Sequence, residues 1–126
     1  MSVNFNEAIH SLCLRLGLSL PAQQNDMVNL SIGGHAIHIT AQPSPMLLMF
    51  CCIDSAKITD SLSLLQLNLF DNNCLKPILS QDAHSHDWVL WSRQPLEMAS
   101  DDSVYEQLEL LSDFVDKLVA GEGFVA

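Results

Sequence analysis

Apolar residues recur at helical spacing near both ends of the chain. Close to the start, four of them are spaced by four, three and four residues, which predicts an amphipathic helix over Asn4–Gly17. Near the other end, five are spaced by four, three, four and three, which predicts a last helix over Ser100–Ala120. The first set is Phe5, Ile9, Leu12 and Leu16, and the second is Val104, Leu108, Leu111, Val115 and Leu118.

Strand-like patterns occupy the region between these helices. Met27–Thr40 alternates between apolar and polar residues on both sides of Gly33-Gly34, a pair suited to a tight turn, and therefore predicts a β-hairpin. Met46–Ile53 is apolar at every position, which predicts a third strand with two apolar faces. Since one helix covers one sheet face, part of the other face is expected to stay open for a partner. The alternative is a sheet that helices cover on both faces.

The densest leucine segment, Leu62–Phe70, lies at the middle of the chain and predicts a central helix. Its apolar residues form one stripe and also extend beyond it, so the helix is expected to be buried on more than one side. A second copy of the same helix is the expected cover for the outer side, and the alternative is a core helix in a monomer. The stripe contains Leu62, Leu65 and Leu69, and the residues off it are Leu64, Leu67 and Phe70.

Two further strands complete the predicted elements. Cys74–Ser80 predicts a fourth strand, and Pro77 within it indicates an edge or a bulge because proline lacks a donor. Trp88–Ser92 predicts a fifth. The order is helix, three strands, helix, two strands, helix. This order predicts a single α+β domain over residues 1–126, with a mostly antiparallel, twisted sheet packed with helices.

Composition and charge narrow the classes of function. Apolar residues make up 48% of the chain and charged residues 16%, as in a globular domain. The formal net charge of −10 argues against binding to nucleic acid or to an anionic membrane surface. No apolar run is long enough to span a bilayer, and the first residues lack the pattern of a secretory signal. We therefore expect a cytoplasmic protein.

The sequence contains no convincing catalytic or metal-binding constellation. His35 and His38 would point to opposite faces of a strand, and His84 and His86 lack a third ligand. The four cysteines have no zinc spacing and are expected to be reduced. No glycine-rich phosphate loop or activated nucleophile is present in the sequence. We therefore predict no enzyme activity, no metal and no cofactor.

Three segments together resemble the class I chaperones of bacterial type III secretion. Leu16–Leu18 reads Leu-Gly-Leu at the end of the first helix, and Leu64–Asn68 is similar to that family's Leu-Leu-x-Leu-Asn. Val89–Leu96 is a strand that ends in Pro-Leu before the last amphipathic helix. Size, element order and acidity also match, whereas the loop Asp82–Asp87, with its two histidines, departs from the family pattern.

The resemblance implies a cytoplasmic homodimer that binds the N-terminal region of a secreted effector in extended form. The central helix and the strand after it would form the two-fold interface, and the first helix and first three strands would bind the effector, partly by strand addition. The implied interface residues are Leu62, Leu65, Leu69, Phe70, Trp88 and Leu90. The implied effector-binding residues are Leu12, Leu16, Val28, Leu30, Ile37, Ile39, Leu48 and Phe50.

Two other functions stay open on sequence grounds. A regulatory adaptor that sequesters a secretion-system regulator would use the same surface, so only the identity of its partner separates it from an effector chaperone. A small-molecule-binding domain would instead need a closed cavity with convergent polar groups.

Overall fold

The computed structural model describes residues 5–19, 27–41, 45–54, 56, 65–70 and 72–120, in which two α-helices and five strands form one layer of helices on one sheet. No helix in these ranges is long and apolar enough to cross a membrane. The elements are α1 (Phe5–Leu16), β1 (Met27–Ile32), β2 (His35–Thr40), β3 (Met46–Ile53), the 3₁₀ helix η1 (Leu65–Asn68), β4 (Ile78–Gln81), β5 (Trp88–Pro95), the 3₁₀ helix η2 (Leu96–Met98) and α2 (Asp101–Ala120).

The five strands form one antiparallel sheet in the order β1-β2-β3-β5-β4. The predicted α+β class and the hairpin are therefore confirmed. Gly33 and Gly34 form the turn with φ angles of 59° and 85°, a region in which glycine meets no steric penalty. Only β3 and β5 pair over eight residues each, and they form the centre of the sheet together with β2.

The structure corrects the end of the predicted central helix. Leu62 and Leu64 lie outside the described residues, and the described part has only the four-residue 3₁₀ helix η1, after which Leu69 and Phe70 are not helical. Side-chain bonds tie this turn to the next strand: Asn68 binds the backbone of Leu79, and the Lys76 ammonium donates to the Leu69 carbonyl. These contacts hold the turn beside β4.

Two strand boundaries also differ from the prediction. The fourth strand was expected over Cys74–Ser80, but β4 begins only at Ile78, because Pro77 precedes it and has no N–H to donate. The fifth strand was expected to end at Ser92, but β5 continues to Pro95. Its last three residues pair with the start of β3, a contact between distant parts of the chain that local pattern does not reveal.

Both α-helices pack on the same face of the sheet and enclose the core. Along β3, Leu47, Met49, Cys51 and Ile53 are at most 3% exposed, whereas the alternate residues are half-buried or exposed. The predicted stripe of the last helix is buried in the same cluster as Ile9 and Leu12 of α1. Burial of this apolar area is the main favourable term for the fold.

Polar contacts fix the helices on the sheet. Ser100 and Ser103 exchange backbone-to-hydroxyl hydrogen bonds of 2.8 and 3.1 Å, a capping arrangement at the start of α2. Arg15 joins α1 to α2 through Asp102, at 2.8 Å, and lies 4.1 Å from the centre of the Tyr105 ring. At the far end of α2, Asp116 contacts His35 of the hairpin at 2.6 Å.

Candidate functional site

The face of the sheet that points away from the two helices is the candidate functional site. Strand side chains alternate between faces, so the register assigns every second residue of each strand to this side. We call it the open face. It comprises Met27, Asn29, Ser31, Ala36, His38, Thr40, Met46, Leu48, Phe50, Cys52, Ile78, Ser80, Val89, Trp91, Arg93 and Pro95.

One row of side chains crosses the open face from edge to edge. Asn29 pairs with His38, His38 with Phe50, Phe50 with Trp91, and Trp91 with Ile78, so the row includes one residue from each strand. The His38 and Phe50 rings lie 4.9 Å apart, and Nδ1 of His38 is 2.5 Å from Oδ1 of Asn29. The row is therefore apolar and aromatic at its centre, and hydrogen-bonding groups lie beside the β1 edge.

Charge is distributed unevenly between the strands and the rest of the molecule. None of the five strands contains an aspartate or a glutamate, although the chain has fifteen of them. Arg93 is the one residue of the open face with a permanent charge, and its guanidinium lies 5.6 Å from the centre of the Trp91 ring. An apolar surface without anions suits the binding of apolar polypeptide, while the acidic remainder keeps the protein dispersed.

The thiol of Cys52 also lies on the open face. Burial raises its pKa, and the nearby carboxylates of Asp87 and Asp82 raise it further. The nucleophilic thiolate is therefore scarcer than it would be for a thiol of ordinary pKa. Among the described residues, no group of three or more histidine, cysteine or acidic side chains is placed to hold a metal ion.

A second apolar surface lies around η1, at the β4 end of the sheet. The side chains of Leu65, Leu69 and Phe70 are 53%, 64% and 92% exposed, whereas Leu67 between them is buried. We call these three exposed residues the mid-chain patch. Three large apolar side chains so close together are unusual on a free surface, and such a cluster typically marks a contact site.

The structure places the predicted effector-binding residues in two different environments. Five of them fill the core between sheet and helices and are at most 6% exposed, and Leu16 is half-buried at the end of α1. Only Leu48 and Phe50 lie on the open face, where both are half-buried. The five core residues are Leu12, Val28, Leu30, Ile37 and Ile39.

The predicted interface residues divide in the same way. Leu62 lies outside the described residues, and Leu65, Leu69 and Phe70 form the mid-chain patch. Trp88 and Leu90 point to the helix-covered face of β5, where they are 9% and 0% exposed, so they lie apart from the mid-chain patch.

Sequence reasoning missed several residues of the open face. The predicted binding residues did not include Trp91, Arg93 or His38. Successive side chains of β5 point to opposite faces, so its open-face residues follow once one face is assigned. Assignment of that face depends on which side the helices cover, and this is a tertiary contact that the strand's own sequence does not specify.

Comparisons with known proteins agree with this architecture. A sequence model of the Tir chaperone protein (CesT) family matches residues 7–119. The proteins named YopE regulator from Yersinia enterocolitica and Yersinia pestis are each 36% identical over 115 residues, which cover 91% of this chain and 88% of theirs.

Solved structures show the same fold. A chain in the structure of the ExoT–SpcS complex from Pseudomonas aeruginosa superimposes with a TM-score of 0.78 at 34% identity, covering 88% of this chain and 93% of that one. A chain in the structure of the Yersinia pestis chaperone SycH with a fragment of YscM2 gives 0.76 at 19% identity, covering 91% and 99%, and supports the fold alone. The chain therefore belongs to the Tir chaperone protein (CesT) family of type III secretion chaperones, as its sequence resemblance implied.

Proposed function

We propose that this protein is a non-catalytic chaperone of the bacterial cytoplasm that binds the N-terminal region of a type III secreted effector in extended form and keeps it soluble and competent for export. The observation that carries the proposal is the open face, which is largely apolar at its centre, on β3 and β5, and free of acidic side chains. The YopE regulator relatives and the ExoT–SpcS complex at 34% identity support a protein partner.

An extended guest suits this surface physically. Its backbone can add to a sheet edge and gain affinity with little dependence on sequence. Its alternate side chains can then lie over the row from His38 to Trp91, where the half-buried rings offer apolar contact. Because ordering an unfolded segment opposes binding, the guest needs a long contact of this kind rather than a single pocket.

We also propose that two copies associate through the mid-chain patch. Leu65, Leu69 and Phe70 form a cluster of exposed, large apolar side chains, and such a cluster typically marks a contact site. A two-fold contact would bury the same patch on both copies. The dimer would present two open faces to one guest, which raises the effective concentration of the second contact.

Co-expression with secreted proteins encoded beside this gene tests the chaperone function. We expect one of them to co-purify through its N-terminal region, and we expect Phe50→Ser to release it. Leu14→Ser is the matched control, because Leu14 is an exposed leucine on α1, away from the open face. Failure of every neighbouring secreted protein to bind at micromolar concentration would contradict the proposal.

A regulatory adaptor is the second candidate function. The curated relatives are named regulators of YopE, and an adaptor would use the same open face. Recovery of a secretion-system regulator in place of an exported effector in the same co-expression experiment would favour this alternative.

A further inference from the structure

The sheet has two edge strands, β1 and β4, and they differ in what contacts their outer sides. An edge strand presents unpaired N–H and C=O groups to which another extended chain can pair. β1 is six residues long, and within the described ranges it pairs on one side only, with β2. β4 has four residues, and its outer side meets η1.

Asn68 of η1 binds the outer side of β4 as a neighbouring strand would. The amide N–H of Leu79 donates to Oδ1 of Asn68 at 2.6 Å, and Nδ2 of Asn68 donates to the Leu79 carbonyl at 2.8 Å. In an antiparallel ladder the N–H and C=O of one residue point to the same side. Both groups of Leu79 are therefore directed away from β5 and are already occupied by one side chain.

Two further contacts hold the Asn68 amide in place. Leu67 is 3% exposed and anchors η1 in the core, and the Lys76 ammonium donates to the carbonyl of Leu69. An amide fixed on both sides loses little further freedom when it binds Leu79, so its two hydrogen bonds persist. A strand that approached β4 would have to displace both of them.

We propose that the side-chain amide of Asn68 closes the β4 edge of the sheet and so directs an extended guest polypeptide to add as a strand at β1. This inference rests on the proposed function, because it concerns where the guest of that function pairs. A guest strand at β1 would lie beside Asn29, the first member of the row of side chains that crosses the open face. A guest that begins at β1 can continue across the face toward Trp91.

Amide hydrogen exchange in the isolated protein tests the closure without any guest. We expect the Leu79 amide to be protected in the wild type and to exchange about tenfold faster or more in Asn68→Ala. Asn68→Asp should exchange more slowly than Asn68→Ala, because a carboxylate oxygen can still accept from the Leu79 amide although the donor to the Leu79 carbonyl is lost. Gln66→Ala, in the same turn, is the matched control and should leave the Leu79 amide unchanged. Unchanged exchange in Asn68→Ala would overturn the closure.

Mapping of a strand-forming probe tests the choice of edge. The probe is a synthetic peptide of alternating threonine and valine, and its binding is followed by amide chemical shifts. In the wild type we expect shifts in β1 and none at Leu79 or Gln81. In Asn68→Ala we expect new shifts at Leu79 and Gln81. The further change Gln81→Pro should remove the new shift of the Leu79 amide, since proline takes away an outward N–H that points the same way as that of Leu79.

The outcomes separate the two proposals. Probe pairing at β4 in the wild type, or no new pairing at β4 in Asn68→Ala, would overturn the role of Asn68. Association of Asn68→Ala into larger assemblies than the wild type forms, abolished by Gln81→Pro, would support it, because a further copy would then be pairing at the opened edge. Absence of pairing at β1 would contradict the proposed guest-binding mode, whereas the exchange result would still decide the closure.

Discussion

Gln94 of β5 donates a hydrogen bond of 2.7 Å to Gln107 of α2 in the buried layer between the sheet and the last helix. Gln107 is fully buried, and its own Nε2 donates to the Ser92 carbonyl at 3.0 Å. Gln94 also donates to the Ser103 carbonyl and accepts a hydrogen bond from the Ser103 hydroxyl. Every buried polar side-chain atom among the described residues has a partner. The network therefore sets the position of α2 along β5, because a shift by one residue would leave several of these groups unpaired.

We predict that Gln107→Leu destabilises the protein by about 2–3 kcal/mol, because the Ser92 carbonyl and one donor of Gln94 lose their partner in the core. Urea denaturation measures the loss. Glu106→Gln, at an exposed neighbouring position of α2, is the control and should stay within about 0.5 kcal/mol of the wild type. An equally stable Gln107→Leu variant would mean that the network contributes nothing to the free energy of unfolding.

Two adjacent residues of β3 are predicted to respond in opposite ways. Phe50→Ser should weaken guest retention and leave most of the stability, because Phe50 lies half-buried on the open face. Met49→Ser should cost about 2–5 kcal/mol, because Met49 is fully buried under the helices. Thermal unfolding and co-purification of the guest measure the two effects. If Phe50→Ser unfolds the protein while Met49→Ser is tolerated, the two faces have been assigned the wrong way round.

We predict that Leu65→Asp yields a folded monomer. Leu65 is 53% exposed in the protomer, so an aspartate there meets water in the monomer, but a two-fold contact would bury it unpaired. Sedimentation equilibrium and circular dichroism measure assembly and folding. Leu14→Asp, at a 69% exposed leucine on α1, should remain dimeric. A wild-type protein that is monomeric at micromolar concentration would contradict the dimer through the mid-chain patch.

The reactivity of Cys52 should depend on pH in a specific direction. Burial, then Asp87 and Asp82, raise the pKa of this thiol, so the reactive thiolate is scarcer at pH 8 than it would be for a thiol of ordinary pKa. Asp87→Asn should lower the pKa and speed alkylation by iodoacetamide at that pH, as followed by peptide mass spectrometry. Asp113→Asn, on an exposed face of α2, should not change the rate. Equal rates in Asp87→Asn and the wild type would contradict the electrostatic contribution of Asp87.

A bound guest should protect the same thiol. Cys52 lies on the open face next to Val89, whereas Cys74 is exposed just before β4 and outside that face. We expect the guest captured by co-expression to slow alkylation of Cys52 and to leave Cys74 unaffected. Protection of Cys74 alone would place the guest at the β4 end of the molecule.

Local pattern predicted the elements whose periodicity is strong. The stripes of α1 and α2 and the alternation around Gly33-Gly34 each specify one structure and one buried face, and the structure has both helices and the hairpin. The end of the predicted central helix was wrong, because apolar residues lie on all sides of that helix and their spacing does not show that Asn68 binds the backbone of Leu79.

The candidate site was less predictable from the sequence than the fold. Val28, Leu30, Ile37 and Ile39 alternate as cleanly as any binding surface would, and the same alternation is expected of a core face. Only contact with α1 and α2 decides between these two roles, and this contact joins distant parts of the chain. The distribution of acidic residues, absent from every strand, was visible in the sequence but could be interpreted only once the strand boundaries were known.

The apolar character of β3 on both faces has a consequence for how the sheet assembles. A slip of one residue would exchange Leu47 and Met49 for Leu48 and Phe50 beneath the helices, at little loss of hydrophobic contact. β3 alone therefore cannot determine its own alignment during folding. The alignment must come from the neighbouring strands, where a slip would place Arg93 or His38 under the helices. Substitution of these two polar residues by leucine should therefore produce misaligned and aggregation-prone chains, although no contact of the native core is lost.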